Sequence, residues 1–405
     1  MPGARDALAA EVAQRREQLI ETRRYFHQHP ELSFAEHETA AEIAQRLRAL
    51  GLDPLEGVGG TGVTALLRGQ AAGAQTGPTL LIRADIDALP VMEEADDDAR
   101  PWRSRTPGVM HACGHDGHIA IALALAELLM ARREQLRGAA QFVFQPAEER
   151  IGGALAMLTD GVTAHPRVDA TLGLHLWVPV PVGQVSVAAG AVFSSADELW
   201  LRVRGRGGHG AMPHRTIDAL LIACQVVSTL QILVAREVDP QQPAVISVGT
   251  LHAGTTAANI IADTATLSGT VRWFDAEVGD QLARRVPEVI QGIAASLRGR
   301  AEVEYRRGGR PTVNDPAVAA LVREAVAEVV GAEHSLSGPP IMGSEDFSEF
   351  THRVPSAFFF VGCRDEASGK AFEHHHPRFD IDERSLPLGV EMLTRAALAR
   401  RQRRD

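Results

Sequence analysis

The chain has 405 residues, 45% of them hydrophobic and 23% charged, a composition that excludes a disordered protein and exceeds what one ordinary core accommodates. Its formal net charge of -10, with acids and bases interspersed and no basic stripe, argues against a nucleic-acid-binding surface. No signal-peptide-like core opens the sequence and no uninterrupted apolar run is long enough to cross a membrane, so a cytoplasmic protein with no membrane partner is expected.

Taken in chain order, apolar residues at helical spacing predict helices over residues 7–26 and 35–50. Short β-rich runs, "VTALLRG" and "TLLIRAD", follow as strands, then a helix over 118–130, then the strands "AAQFVFQP" and "ATLGLHLWV". Strands alternating with helices predict an α/β fold with a mainly parallel sheet. The acidic cluster "EEADDDAR" between them reads as a solvated loop. From about residue 188 the pattern changes: "DELWLRVRG" reads as a strand, 213–237 as a long helix, "AVISVGTLHAG" and "ATLSGTVRWF" as strands, 276–297 as a helix and "AEVEYRRG" as a strand. That order, βαββαβ, is a ferredoxin-like unit. Helices and strands of the first kind resume after "GGRPTVNDP", so residues 188–308 are expected to be a small domain inserted into a larger one made of 1–187 and 309–405. Cys113, Cys224 and Cys363 are odd in number and widely spaced, which is no disulfide framework. Cys224, in the apolar run "DALLIACQVVSTL", is expected in the core, whereas Cys113 has polar company.

Chemistry concentrates in four places. "MHACGHDGH", residues 110–118, offers Cys113 and His115 in a glycine-containing turn before a predicted helix. Thiolate, imidazole and carboxylate are the ligands of zinc and its neighbours, although a reactive or buried thiol would account for this stretch equally well. "FQPAEER" ends an apolar strand in the adjacent acids Glu148 and Glu149, where α/β folds place active-site groups. His175 lies in the apolar strand "TLGLHLWV", and "FEHHHPRFD" carries the triplet His374, His375 and His376. Each has a bland explanation alone, as surface acids, a core histidine or a loop. Together at strand ends and turns they point to a metal centre.

These motifs, with "RRYFHQHPELSFAEHET", "IRADIDALP", "GRGGHGAMPH", "AANIIAD" and "MGSEDFSEF", stand in the order seen in N-acyl-amino-acid amidohydrolases of the hippurate hydrolase type. The chain thus resembles members of the aminoacylase and carboxypeptidase superfamily of two-metal hydrolases. The resemblance implies that Cys113, His115, Glu149, His175 and His375 bind two divalent ions, with Glu148 as general base and Asp85 and Asp87 orienting the ligands. Zinc, manganese, cobalt and nickel all suit that donor set. It implies further that His209 stabilises an oxyanion, that the inserted domain pairs to form a dimer or dimer of dimers, and that His209 of one subunit serves the metal site of the other. Asn259 and Arg272 are candidate contacts for a substrate carboxylate, Arg272 reading equally well as a solvated strand residue, and Phe347 is a candidate wall of the acyl pocket. The expected substrate is a small N-acyl amino acid, hippurate-like or N-acetylated, with dipeptides as the alternative.

Other functional classes find less support in the chain. "GVGGTG" (57–62) and "GRGGHG" (205–210) both match G-x-G-x-x-G, but the first runs into a β-like segment and the second lacks an acid about 20 residues on. No G-x-S-x-G supports a serine hydrolase. A binding protein that kept the fold without activity would not need both Glu148 and Glu149.

Overall fold

The computed structural model describes residues 2–94 and 100–399, and the chain divides into two compact units. Unit 1 comprises Met1–Val192, Val313–Pro339 and Asp346–Asp405; unit 2 comprises Phe193–Thr312 and Pro340–Glu345.

Unit 1 is built on an eight-stranded sheet. Its order is Leu55–Val58, Gly62–Arg68, Ala139–Gln145, Thr79–Asp85, Ala170–Pro181, Ser356–Arg364, Val185–Ser186 and Ser335–Leu336. The four central strands, from Ala139–Gln145 to Ser356–Arg364, run parallel. Thr79–Asp85 and Ala139–Gln145 are buried at every position, which is why they read as continuous apolar runs rather than alternating ones. Helix His115–Ala131 is buried over most of its circumference for the same reason. It starts three residues earlier than its apolar pattern predicts, because Gly114 takes up the left-handed conformation (φ 90°) that ends the preceding turn and lets the polar residues His115, Asp116 and His118 enter the first helical turn. The N-terminal helix expected over 7–26 is two helices, Pro2–Gln14 and Arg16–Gln28.

The "GVGGTG" glycines serve a tight connection between the antiparallel strands Leu55–Val58 and Gly62–Arg68. A Cβ on Gly59 would come within 2.6 Å of the Met157 side chain, so these glycines answer to packing rather than to a phosphate.

Unit 2 has a four-stranded antiparallel sheet of order Ala244–Ala253, Thr264–Trp273, Asp197–Arg204 and Arg300–Arg306, with helices Ala219–Glu237 and Ala276–Ser296. Strand order 2-3-1-4 within βαββαβ is the ferredoxin-like topology. The first helix begins at Ala219 and not at 213. Pro213–Arg215 forms a 3₁₀ turn, and Asp218 caps the helix by accepting from the Leu221 N–H at 3.1 Å. Helix Ala219–Glu237 is long and apolar enough to cross a membrane by length and composition, yet its Ile222, Ala223, Val226, Leu230 and Leu233 belong to the core of unit 2. Cys224 is on the other side of this helix and exposed, contrary to the core position expected from the apolar run around it. In a helix that is apolar almost throughout, composition does not mark the buried face.

Of the acidic cluster, residues 95–99 lie outside the described residues, and Glu93 is no solvated acid. Its carboxylate accepts from His27 Nε2 at 3.2 Å, Arg100 Nη1 at 2.7 Å and the Ser104 N–H at 2.7 Å. Burial opposes its ionisation, but these donors prevail and hold the carboxyl at about 2. A depressed carboxyl contributes stability above its unfolded value, lost as pH falls from about 4.5 towards 2. Glu93→Gln should therefore cost about 1–3 kcal/mol at neutral pH and much less at pH ~2.5, read from urea midpoints across pH. An unchanged acid limb in the variant would show that Glu93 anchors nothing.

Candidate metal and hydrolytic site

The carboxyl ends of Thr79–Asp85 and Ala139–Gln145 lie side by side, with Asp85 paired to Gln145 in parallel register. Ligands in open α/β sheets gather at such strand ends. Asp87 follows the first strand, Glu148 and Glu149 the second. Asp87 organises the junction: its carboxylate accepts from the backbone N–H groups of Glu148 and Glu149, each at 3.1 Å, and from Ser33 Oγ at 2.7 Å. Ala147 (φ 51°) and Ile151 (φ 49°) bracket the two glutamates in left-handed backbone that non-glycine residues seldom adopt, a local strain typical of functional sites.

His115 enters from the first turn of its helix. Its Nδ1 donates to the Asp87 carbonyl at 2.9 Å, which leaves Nε2 as a lone pair, 3.5 Å from Asp85 Oδ2 and 3.9 Å from Glu149 Oε1. His175 comes from the central strand Ala170–Pro181; its Nδ1 donates to the Leu176 carbonyl at 2.8 Å, and its Nε2 is 3.5 Å from Cys113 Sγ. The histidine triplet separates into three roles. His374 Nε2 donates to the Leu176 carbonyl at 3.0 Å, and its ring stacks on Trp177 at 4.5 Å. His376 stacks on Phe372, and its Nδ1 accepts from the Arg378 N–H. His375, turned by a left-handed backbone (φ 67°), points Nε2 at Glu149 Oε1, 3.4 Å away.

Ligand-type atoms of Cys113, His115 and His175 thus lie within 4.8 Å of one another, as do those of Cys113, Glu149 and His375, and of His115, Glu148 and Glu149. Two buried atoms in this cluster, His115 Nε2 and Glu149 Oε1, have no hydrogen-bond partner. Such orphans call for an explanation, and an ion supplies one.

The electrostatics agree. Burial disfavours charge on His115, yet Asp85, Asp87 and Glu149 outweigh it and raise the imidazole to about 10. A field that favours a proton there favours a metal cation as well. Burial, reinforced by Glu149, Glu148 and Asp85, pushes the Cys113 thiol well above its usual range, so a thiolate is tenable only beside a cation. His175 is driven well below the usual range by burial and by neighbouring His118 and His374, which keeps it in the neutral form that an imidazole needs to bind a metal.

Asp85, ahead of this cluster, is fixed by Arg83, whose Nη1 donates to its Oδ2 at 2.7 Å, and by His118 Nδ1 at 2.5 Å from its Oδ1. Arg83 also donates to Gln145 and Asp346. His118 and Arg83 lie within the quoted motifs "MHACGHDGH" and "IRADIDALP", yet neither is assigned a role by sequence alone; their buried partners give them one. Phe347 is a correction. It is wholly buried, with its ring against Phe350, Phe358 and Gly173, so it is a core residue and has no surface to offer an acyl group.

In unit 2, His209 and Asn259 are neighbours. His209 pairs with Ile260 across a two-residue ladder, and the Gly210 N–H donates to the Asn259 carbonyl at 2.7 Å. Both are exposed. Arg272 sits in Thr264–Trp273, half-buried, and its Nη1 is buried without a hydrogen-bond partner.

Residues 81–399 match the model of the peptidase family M20/M25/M40. An N-acetyl-L-cysteine deacetylase of Bacillus subtilis is 38% identical over 91% of this chain and 85% of its own length. A thermostable carboxypeptidase of Saccharolobus solfataricus is 36% identical over 97% of this chain and 98% of its own. Among solved structures, a dinuclear metal-binding M20 peptidase of Bacillus subtilis superposes with a TM-score of 0.81 at 33% identity, covering 95% of this chain and 98% of that one. With nearly four fifths of its length matched by the family model and relatives similar almost end to end, the chain belongs to peptidase family M20/M25/M40.

Proposed function

We propose that this hydrolase cleaves the amide bond of N-acyl amino acids, releasing a carboxylic acid and a free amino acid. The observation that carries the reading is the pair of donor clusters that share Cys113, with the buried Glu148 beside them. In this reading Cys113, His115, Glu149, His175 and His375 hold two divalent ions, of zinc, manganese, cobalt or nickel; the orphaned His115 Nε2 and Glu149 Oε1 and the mixed thiolate, imidazole and carboxylate donors support it. Bound there, such ions lower the pKa of a water molecule and polarise a carbonyl oxygen.

The chain's own groups do the rest. Glu148, its backbone N–H tied to Asp87, takes a proton from the attacking water and returns it to the departing nitrogen as the C–N bond breaks. Asp85 and Asp87 orient His115 and the two glutamates. The unpartnered Arg272 Nη1 supports the carboxylate role, because a buried guanidinium nitrogen without an acceptor suits an anion, and Asn259 adds an amide donor. His209, exposed in its short ladder, donates to the developing oxyanion.

A panel of N-acetyl and N-benzoyl amino acids and dipeptides, with metal-replete protein, tests the substrate class. Release of free amino acid from the N-acyl compounds is expected, and Glu148→Gln should lower turnover by roughly 10²–10⁴ with metal content retained. Preference for peptides would make the chain a carboxypeptidase or dipeptidase, and no release from any member would leave a binding protein.

The assembly is a homodimer formed through the edges of the unit 2 sheet, Ala244–Ala253 and Arg300–Arg306, since open edges are natural pairing surfaces. His209 then acts on the site of the partner subunit. Mixing inactive His209→Ala and Glu148→Ala variants under subunit exchange should restore activity, because a hybrid contains one site with both groups intact. A mixture with proven exchange that stays inactive refutes the arrangement.

A further inference from the structure

His118, the last residue of "MHACGHDGH", is only 2% exposed, and none of the roles above uses it as a ligand. Its ligand-type atoms lie near those of Asp85 and His115, all within 4.8 Å, so proximity alone would make it a fourth cation-binding imidazole beside His115, His175 and His375. Its hydrogen bonds exclude that. Nε2 accepts from the Leu176 N–H at 2.9 Å, which places the ring proton on Nδ1, and Nδ1 faces Asp85 Oδ1 at 2.5 Å. With one nitrogen donating and the other accepting, no lone pair remains for an ion.

We propose instead that His118 is a positioning residue for His175, acting through the backbone of Leu176. Leu176 is gripped from both sides. Its N–H donates to His118, and its carbonyl accepts from His175 Nδ1 at 2.8 Å and from His374 Nε2 at 3.0 Å. The carbonyl therefore fixes His175 as the Nδ1–H tautomer and leaves its Nε2 lone pair facing Cys113 Sγ at 3.5 Å. His118 holds in place the strand segment that carries this acceptor.

The anchor is rigid at its far end, since Asp85 also takes 2.7 Å from Arg83 Nη1, and both side chains are fully buried. Helix and strand approach closely at Gly117: a Cβ there would stand 2.4 Å from Leu176 Cδ1, so a larger residue would displace the Leu176 side chain beside the His118 bond. The edge of the His118 ring also packs on His175, with centroids 4.7 Å apart.

This assignment rests on the metal-centre reading, and the test separates the two. Asparagine at 118 presents an amide nitrogen near the place of Nδ1 and keeps the Asp85 bond, whereas glutamine reaches the place of Nε2 and can accept from Leu176. Full-length wild type, His118→Asn and His118→Gln are stripped of metal and titrated with Co²⁺ against a competing chelator, with visible absorption recorded. The expected result is a roughly 10–100-fold loss of affinity for one ion and an altered Co²⁺ spectrum in His118→Asn, with His118→Gln within about threefold of wild type. Equal behaviour of the two variants would reduce His118 to packing. Wild type that takes up no Co²⁺ would strike the metal centre itself. Should a variant lose its far-UV circular dichroism, ¹⁵N NMR of metal-free wild type decides: Nδ1–H tautomers at both His118 and His175 support the assignment, and Nε2–H at either overturns it.

Discussion

The structure depends on carboxylates concentrated where little water reaches. Asp85, Asp87 and Glu148 are buried and Glu149 nearly so, around a buried thiol and two buried imidazoles. Arg83 answers part of that charge, through Asp85 and Asp346. The remainder raises the affinity of the His115 imidazole for a proton and adds to the burial that suppresses ionisation of Cys113. Uncompensated charge in a low-dielectric interior is expensive, and groups so placed are paired or coordinate metals. The cluster is thus a demand for cations written into the fold.

Strand order meets that demand without long excursions of chain. Parallel neighbours bring Asp85 and Gln145 to the same level, so the short segments beyond them deliver Asp87, Glu148 and Glu149 together. Asp87 then ties both glutamate N–H groups to one carboxylate, which fixes the turn that carries the two side chains. A second buried network secures the helix that carries His115. Arg23, fully buried, lies 2.7 Å from Asp116 and 2.9 Å from Asp380, and His27 reaches Asp116 at 2.8 Å. The N-terminal helix Arg16–Gln28 is in this way bound to the residue next to His115.

Much of this was legible in the sequence because strand ends and turns announce themselves. Apolar runs that break into "AEE" or "CGH" place polar groups at the edge of a core, and the βαββαβ order of unit 2 follows from alternation and turn signals. Less was legible where residue type and environment part company. Phe347 stands in a polar motif yet belongs to the core, and Cys224 stands in an apolar run yet faces out. His374, His375 and His376 are identical in type; one is separated from its neighbours by a left-handed φ, another by stacking on Trp177. The part played by His118 runs through a backbone N–H, a group every residue but proline carries, so no pattern of side chains reveals it.

The most direct test of the account is metal analysis of the purified chain combined with X-ray absorption at the metal edge. Two tightly held divalent ions per chain, with one sulfur scatterer in a shell otherwise of nitrogen and oxygen, is the predicted result. A chain that retains no more than one ion, or a shell without sulfur, would contradict the claim that Cys113 joins two clusters of donors into one centre.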